Sequence, residues 1–548
     1  MYDSDDFTSY HQELLDGRYD CVDRIVLNGY FSLGQTGGGF RCWWRELFGS
    51  DATLNTNHLQ RMAGDFSRRL HAFAKQNKIP VVHCETGTRK HEIAEKYLPD
   101  DPSFQGLFLI LVAKSPALVW DVRQCKSGAP HLERKKPWPY VNHYHFHIID
   151  KEWGHLTIKM SGHPPFGIQV MLNGHEWVER QAREQTISMI KEGNCFVEGS
   201  DFMALNQIAD TLCQNDTIGQ LAKVCDRWVY STCLCFALNT KDQESSRFHY
   251  QYSCYQIEYS RNLLFQLGAK LDSVYQGLID RTRSLLDVNK LKTIFGRKNR
   301  PSATKASSPK VERVLDSSTF DLTVFKVHFG KLTLKMYDKG EKTLRIEAIA
   351  HNTKELKCGR VLAKVPDMLT KLEHMVTGFL NVISAANISF LDDGILDTIS
   401  EPTQRGNKRL AGIDLQKPRM RTVCEAALAL AASPRGFSSK DLAGKAGEIM
   451  GNDTYTARQA AYDINKLRGK SILVPIAKSR RYCLSIPGVR ILAGLIILRE
   501  KVIKPLLAGI CKESIARPPN NERPIDSKYE RIRHDMLGLL NELHLTPT

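Results

Sequence analysis

The chain has 548 residues, 42% hydrophobic and 25% charged, the composition of a globular protein too long for a single core. Its 76 Lys and Arg against 60 Asp and Glu leave a formal net charge of +16, so an acidic polymer is the expected partner. A membrane is not expected, because the most apolar stretch, Val489 to Ile510, is broken by Arg490, Arg499, Glu500, Lys501 and Lys504.

The first residues, Met1-Tyr2-Asp3-Ser4-Asp5-Asp6, lack the basic and apolar regions of a secretion signal, so a cytoplasmic protein is expected. Fourteen scattered cysteines without paired Cys-x-x-Cys knuckles predict reduced thiols and no cysteine zinc site. Over residues 1–200 the pattern predicts an α/β body with a His-rich strand region. Strands fall at Arg24–Leu27, Ile79–Cys84 and Gly106–Ala113, and helices at Asn57–Gln76 and Thr88–Leu98. That alternation predicts a partly parallel sheet. Residues 201–295 read as mostly helical. Residues 296–315 form a basic linker rich in Ser, Ala and Pro, and 400–418 a second linker. The tail, 513–548, carries a short helix at Tyr529–Leu543.

Between the linkers, residues 316–399 form a second sheet unit that repeats 145–180. Trp153-Gly154-His155-Leu156-Thr157-Ile158-Lys159-Met160 matches Phe329-Gly330-Lys331-Leu332-Thr333-Leu334-Lys335-Met336. Continued without gaps, the match sets Ile168 and Val170 on Leu344 and Ile346, and His175 on His351. It predicts two related sheet units about a pseudo-twofold axis, a surface suited to a long quasi-symmetric ligand such as a duplex.

Residues 419–512 carry the charge. From Lys417 to Lys512 there are 18 Lys/Arg against 6 Asp/Glu, a net +12 of the chain's +16. An Ala/Leu helix from Arg421 stops at Ser433-Pro434-Arg435-Gly436; a second begins after Ser438-Ser439 and a third runs from Thr456 to Leu467. Strands at Ser471–Ile476 and Tyr482–Ser485 flank Ala477-Lys478-Ser479-Arg480-Arg481. This layout resembles the winged-helix domain of MarR-type bacterial regulators. The resemblance implies that the third helix enters a major groove while the hairpin reaches phosphate or minor groove. Periodicity turns Ala460, Ala461, Ile464 and Leu467 inward and leaves Thr456, Arg458, Gln459, Tyr462, Asp463 and Lys466 for solvent or DNA. Arg458 and Gln459 are the expected base readers; Tyr462, Lys466, Lys478, Arg480 and Arg481 complete the nucleic-acid set.

Seven of the 18 histidines lie between His131 and His175. In a strand, His143, His145 and His147 share one face, and Asp150 or Glu152 follows as the candidate oxygen ligand, with Asp150 preferred. A His–hydrophobic–His strand resembles the metal motif of rolling-circle replication initiators and relaxases. This resemblance implies a divalent metal (Mg or Mn) and a tyrosine nucleophile, with Tyr255 and Tyr259 one helical turn apart as the catalytic pair. The segment Tyr337-Asp338-Lys339-Gly340 with Leu344-Arg345-Ile346-Glu347 is similar to a motif of some phage and plasmid initiators, in a separate unit from the histidines. Gly34-Gln35-Thr36-Gly37-Gly38-Gly39-Phe40-Arg41 lacks the Lys-Ser/Thr ending of a P-loop and reads as a turn. Near a strand end, Glu85, Arg89, Lys90 and His91 form a secondary catalytic set.

The expected protein is therefore mixed α/β and multidomain, with internally repeated sheet units and a C-terminal winged helix-turn-helix. It would be a prokaryotic DNA-recognising protein acting in the regulation, replication or mobility of a genetic element. The alternatives are a metal-dependent nickase and an RNA-binding ribonucleoprotein component. A homodimer remains open.

Overall fold

The computed structural model describes residues 5–274, 325–504 and 524–542, apart from 86, 125–129, 213–214, 330, 340, 389–392, 407, 432, 434–435, 452–453 and 477–478. Its architecture is mixed α/β. Helix α1 (Asp6–Tyr10) leads into β1 (Leu15–Phe31), then α2 (Gly37–Phe48), α3 (Thr56–Gln76), β2 (Val81–His83), α4 (Lys90–Glu95) and β3 (Gly106–Pro116). A hairpin, β4 (Trp120–Gln124) and β5 (Pro130–Arg134), precedes β6 (Tyr140–Asp150), β7 (Gly154–Ser161) and β8 (Ile168–Asn173). Helix α5 (Gly174–Glu184) and the hairpin β9 (Met189–Lys191) and β10 (Phe196–Gly199) follow, with α6 (Phe202–Thr211), α7 (Asn215–Trp228) and α8 (Thr240–Ser245). Next come β11 (Tyr250–Phe265), β12 (Phe325–Phe329), β13 (Leu332–Lys339) and β14 (Thr343–Ala350).

Ten of these strands make one sheet, ordered β12-β13-β14-β11-β1-β8-β7-β6-β3-β2, while β4–β5 and β9–β10 stay separate hairpins. The two repeated units and the histidine strand thus share one sheet. Only β2–β3 is parallel, so the expected partly parallel sheet is antiparallel elsewhere. The expected helix across Tyr255 and Tyr259 is instead strand β11, sixteen residues long and paired with β1 on one side and β14 on the other.

The pseudo-twofold is visible in the register. Equivalent strands β1 and β11 pair antiparallel at the centre, and Ile25 faces Ile257. Register breaks leave Asp23 and Tyr255 unpaired, one to each side of that pair. Both bulges interrupt the ladder and sharpen the local twist. Thr157 faces Met171 in the first hairpin and Thr333 faces Ile349 in the second. The ungapped match therefore slips by two residues after the turn, which keeps the buried and polar faces aligned but separates His175 from His351. Strands β3 and β2 extend the first half only.

Burial alternates along β7 and β8, as period-two side chains require. The apolar face carries Tyr144, Phe146 and Ile148 of β6 with Leu156, Ile158 and Met160 of β7, all buried. Helix α3 covers it: Phe66 lies 4.9 Å from the ring of Tyr144. Where β8 ends, Gly174 passes so close to Val22 that a Cβ would collide with the Val22 carbonyl. On the same side of the sheet, Arg261 of β11 is buried, donating to Asp5 (2.7 Å) and to Asp20 (2.8 Å), while Tyr259 donates to Asp20 at 2.5 Å.

The long helix α9 (Val365–Ile388) and α10 (Asp393–Ser400) connect to the basic C-terminal unit. The expected linker at 400–418 contains a hairpin, β15 (Thr403–Arg405) and β16 (Lys408–Leu410), with Leu410 and Ile413 buried. Apolar anchors at those two positions convert a polar stretch into structure. Then come α11 (Pro418–Ala429), α12 (Ser439–Met450), α13 (Ala457–Gly469), β17 (Leu473–Pro475), β18 (Tyr482–Leu484), α14 (Ile486–Ile497) and α15 (Pro524–Glu542). The expected linker at 296–315 lies outside the described residues. Among the described residues, no helix is long and apolar enough to cross a membrane.

Candidate nucleic-acid interface and polar sheet face

The three helices and hairpin are built from strong local signals. Helix α12 starts in a capping box, with Ser438 and Asp441 satisfying each other's backbone N–H groups; Thr456 and Gln459 do the same for α13. Gln459 is therefore committed to its helix start, although it stays exposed. Arg458, Ala461 and Tyr462 are exposed and form one helical stripe with Asn465. Lys466 packs over the Tyr462 ring at 4.9 Å.

Two expectations for α13 change. Asp463 is buried, not solvent-facing, because it accepts from Arg419 at 2.7 Å and from the Tyr455 hydroxyl at 2.8 Å. Ala461 is exposed, not inward. In the wing, Arg480 is exposed, whereas Arg481 donates to the Gly436 carbonyl (2.8 Å) and Asp441 (3.0 Å) and ties the hairpin to α12. Lys478 lies outside the described residues. Sequence reasoning missed the hairpin β15–β16, which exposes Arg405, Lys408 and Arg409. Arg405 donates to Asn465 at 3.2 Å, so this second basic hairpin continues the exposed stripe of α13.

On β6, His143, His145 and His147 do share one face, opposite the apolar one, and all three are buried. Burial holds His143 down to about 4, with Lys159 adding to it, and holds His145 down to about 3, with Lys90 and Lys159 adding. His147 is held down to about 3 by burial and by His155, whose Nε2 lies 3.1 Å from its Nδ1. Asp150 points to the other face, accepting from the Trp228 indole at 2.7 Å and from Arg227 at 2.9 Å. The expected set of three histidines with Asp150 is therefore not assembled, and among the described residues no three such side chains converge on a metal position.

The tyrosine pair is likewise committed. The Tyr259 hydroxyl is spent on buried Asp20, on the face opposite the histidines, and the Tyr255 ring lies under the Arg360 guanidinium at 5.4 Å. Of the secondary set, Glu85, Arg89 and His91 are exposed, and Arg89 pairs with Glu92 at 3.0 Å. Lys90 is half-buried at the start of α4 and acts on both His145 and Lys159. Folding thus brings one member of that set to the histidine strand.

At the sheet centre the polar face is occupied. Asp23 lies 3.1 Å from His175 and pairs with Arg345, all three buried. Burial raises the Asp23 carboxyl, but Arg345 and His175 together outweigh it and hold the group well below the usual range. Lys335 donates to Glu347 at 2.8 Å and Tyr337 to its other oxygen at 3.5 Å. The initiator-like segment therefore packs Tyr337, Arg345 and Glu347 into the seam between the halves. A separate cavity of about 270 Å³ is lined by Asp20, Tyr259, Asp210 and Glu373, where burial and Glu373 push Asp210 up to about 6. Its residues are scattered from 20 to 373, and no local pattern marks them.

Between α4 and this centre the face is half-open. The register aligns His145, Lys159, Gln169 and Asn28 in one row across β6, β7, β8 and β1. Comparisons with protein-family models, with curated proteins and with solved structures find no match to this chain, so its functional reading rests on these surfaces.

Proposed function

We propose that the chain is a DNA-binding protein whose three-helix unit, α11 to α13 with the β17–β18 wing, recognises a duplex on behalf of a genetic element. The observation that carries this reading is the exposed Arg458–Tyr462 stripe of α13 together with two basic hairpins, one exposing Arg480 and the other, tied to α13 through Asn465, exposing Arg405, Lys408 and Arg409. A helix of this kind fits a major groove and paired hairpins fit the flanking phosphates, which position the protein without specifying sequence.

The test is selection of a preferred duplex from a random pool, followed by anisotropy titrations in EDTA. Arg458→Ala is expected to cost about 1–3 kcal/mol on the selected site and to relax preference at one position. Arg480→Ala and Arg409→Ala are expected to weaken all duplexes alike and flatten the salt dependence. Affinity untouched by all three substitutions would reject the reading, a folded RNA outcompeting every duplex would replace DNA by RNA, and nicking in Mg²⁺ or Mn²⁺ would favour cleavage.

A further inference from the structure

The two half-sheets set Lys159 and Lys335 in equivalent places, on β7 and β13, each facing its partner strand across one cross-strand pair. In the second half the facing residue is Glu347, which accepts from Lys335 at 2.8 Å. In the first half it is Gln169, a neutral amide already donating to Asn28 at 3.0 Å. On its other side Lys159 faces His145, which is buried and whose Nε2 has no hydrogen-bond partner among the described residues. Burial holds the Lys159 ammonium below its ordinary value, and Lys90, a like charge, adds to it. Among the described residues, Lys159, beside a buried imidazole, therefore lacks the carboxylate that the duplicated scaffold places opposite Lys335, and the half-buried Lys90 adds a second positive charge. A cation removed from water in this way needs a counter-charge.

We propose that the ledge formed by Lys159, Lys90 and His145, with Gln169 and Asn28 beside it, binds a phosphate group. The ammonium groups supply charge-assisted hydrogen bonds, and the amides of Gln169 and Asn28 supply neutral polar contacts along the row. Binding needs no metal. The proposal does not depend on the duplex reading of the C-terminal unit, because the ledge lies on the sheet and shares no residue with α13. A free phosphate and the backbone of a nucleic-acid strand present the same chemistry, and competition separates them.

The experiment is phosphorus NMR of inorganic phosphate with the full chain in EDTA. Wild-type protein is expected to broaden the phosphate line. Gln169→Glu rebuilds the ion pair of the other half, so it is expected to keep the fold, by circular dichroism, and to weaken phosphate about tenfold or more. Lys159→Met, which removes the half-buried charge and keeps most of the apolar stem, is expected to do the same. An unstructured single-stranded oligonucleotide that restores the sharp line identifies a strand backbone as the source; no displacement identifies free phosphate. No broadening by wild-type protein, equal broadening by folded Gln169→Glu and Lys159→Met, or broadening only with a divalent cation present would each overturn the proposal. Arg458→Ala is expected to leave the broadening unchanged, so failure here and failure of duplex recognition are told apart.

Discussion

Acidifying a phosphate-free solution from pH 7 to about pH 5 is expected to remove most of the stability of the sheet. Four buried histidines drive this. Burial, ahead of every neighbouring charge, holds His143 and His175 down to about 4 and His145 and His147 down to about 3. For His175 the nearby Asp23 works in the opposite direction and is outweighed. An unfolded histidine titrates near 6.5, so below that pH the unfolded chain binds protons that the folded chain refuses. Stability is therefore complete above about pH 6.5 and falls as pH drops toward the folded values, by up to about 1.4 kcal/mol per histidine per pH unit. Four such groups approach the roughly 5–15 kcal/mol that holds a typical domain together. Asp23, held low when folded, adds its own loss only below about pH 4. Urea titrations followed by circular dichroism at the two pH values measure the effect, and His145→Gln should reduce it by about a quarter. Equal midpoints at both pH values would show that these imidazoles are not held neutral.

Replacing Arg261 by methionine is expected to cost about 3–5 kcal/mol, because it leaves Asp5 and Asp20 buried with no opposite charge. The guanidinium bonds both carboxylates and reaches Thr377 of α9 at 3.3 Å, so it joins α1, β1, β11 and α9 at one point. Lysine at this position should recover only part of the loss, since a single ammonium cannot reproduce the forked geometry. The double variant Arg261→Met/Asp20→Leu should be more stable than Arg261→Met alone, because one stranded carboxylate is gone. Guanidinium unfolding of the three variants decides. Wild-type stability in Arg261→Met would mean that the cluster contributes nothing net.

Local rules were enough for the C-terminal unit. Ser438 with Asp441 and Thr456 with Gln459 are capping boxes written within four residues, and Gly436 and Gly451 adopt the left-handed backbone their turns require. The histidine strand was legible for the same reason, since period two is a short-range property. Strand β11 was not. Its two faces are both covered near the seam, so Ser260, Arg261 and Asn262 are buried in succession and the alternation of a half-exposed strand is lost. Tyrosines four apart then imitate a helical stripe. The partners of Arg261 and Lys90 were illegible in principle, because Asp5, Asp20, His145 and Lys159 meet them only after long loops have closed. Asp463 misled by a subtler route: a carboxylate in a polar run reads as solvated, and only the approach of Arg419 and Tyr455 makes its burial tolerable.

The β1–β11 pairing runs from Leu15 opposite Phe265 to Phe31 opposite Tyr250. During synthesis the early strand must wait for more than two hundred later residues before its mate emerges. A fragment ending short of Tyr250 would carry a long, unsatisfied strand margin, a template for self-association in place of folding. Soluble expression of this protein in pieces should therefore begin with cuts beyond that seam, and a holding chaperone should help most while the nascent chain is still only half made.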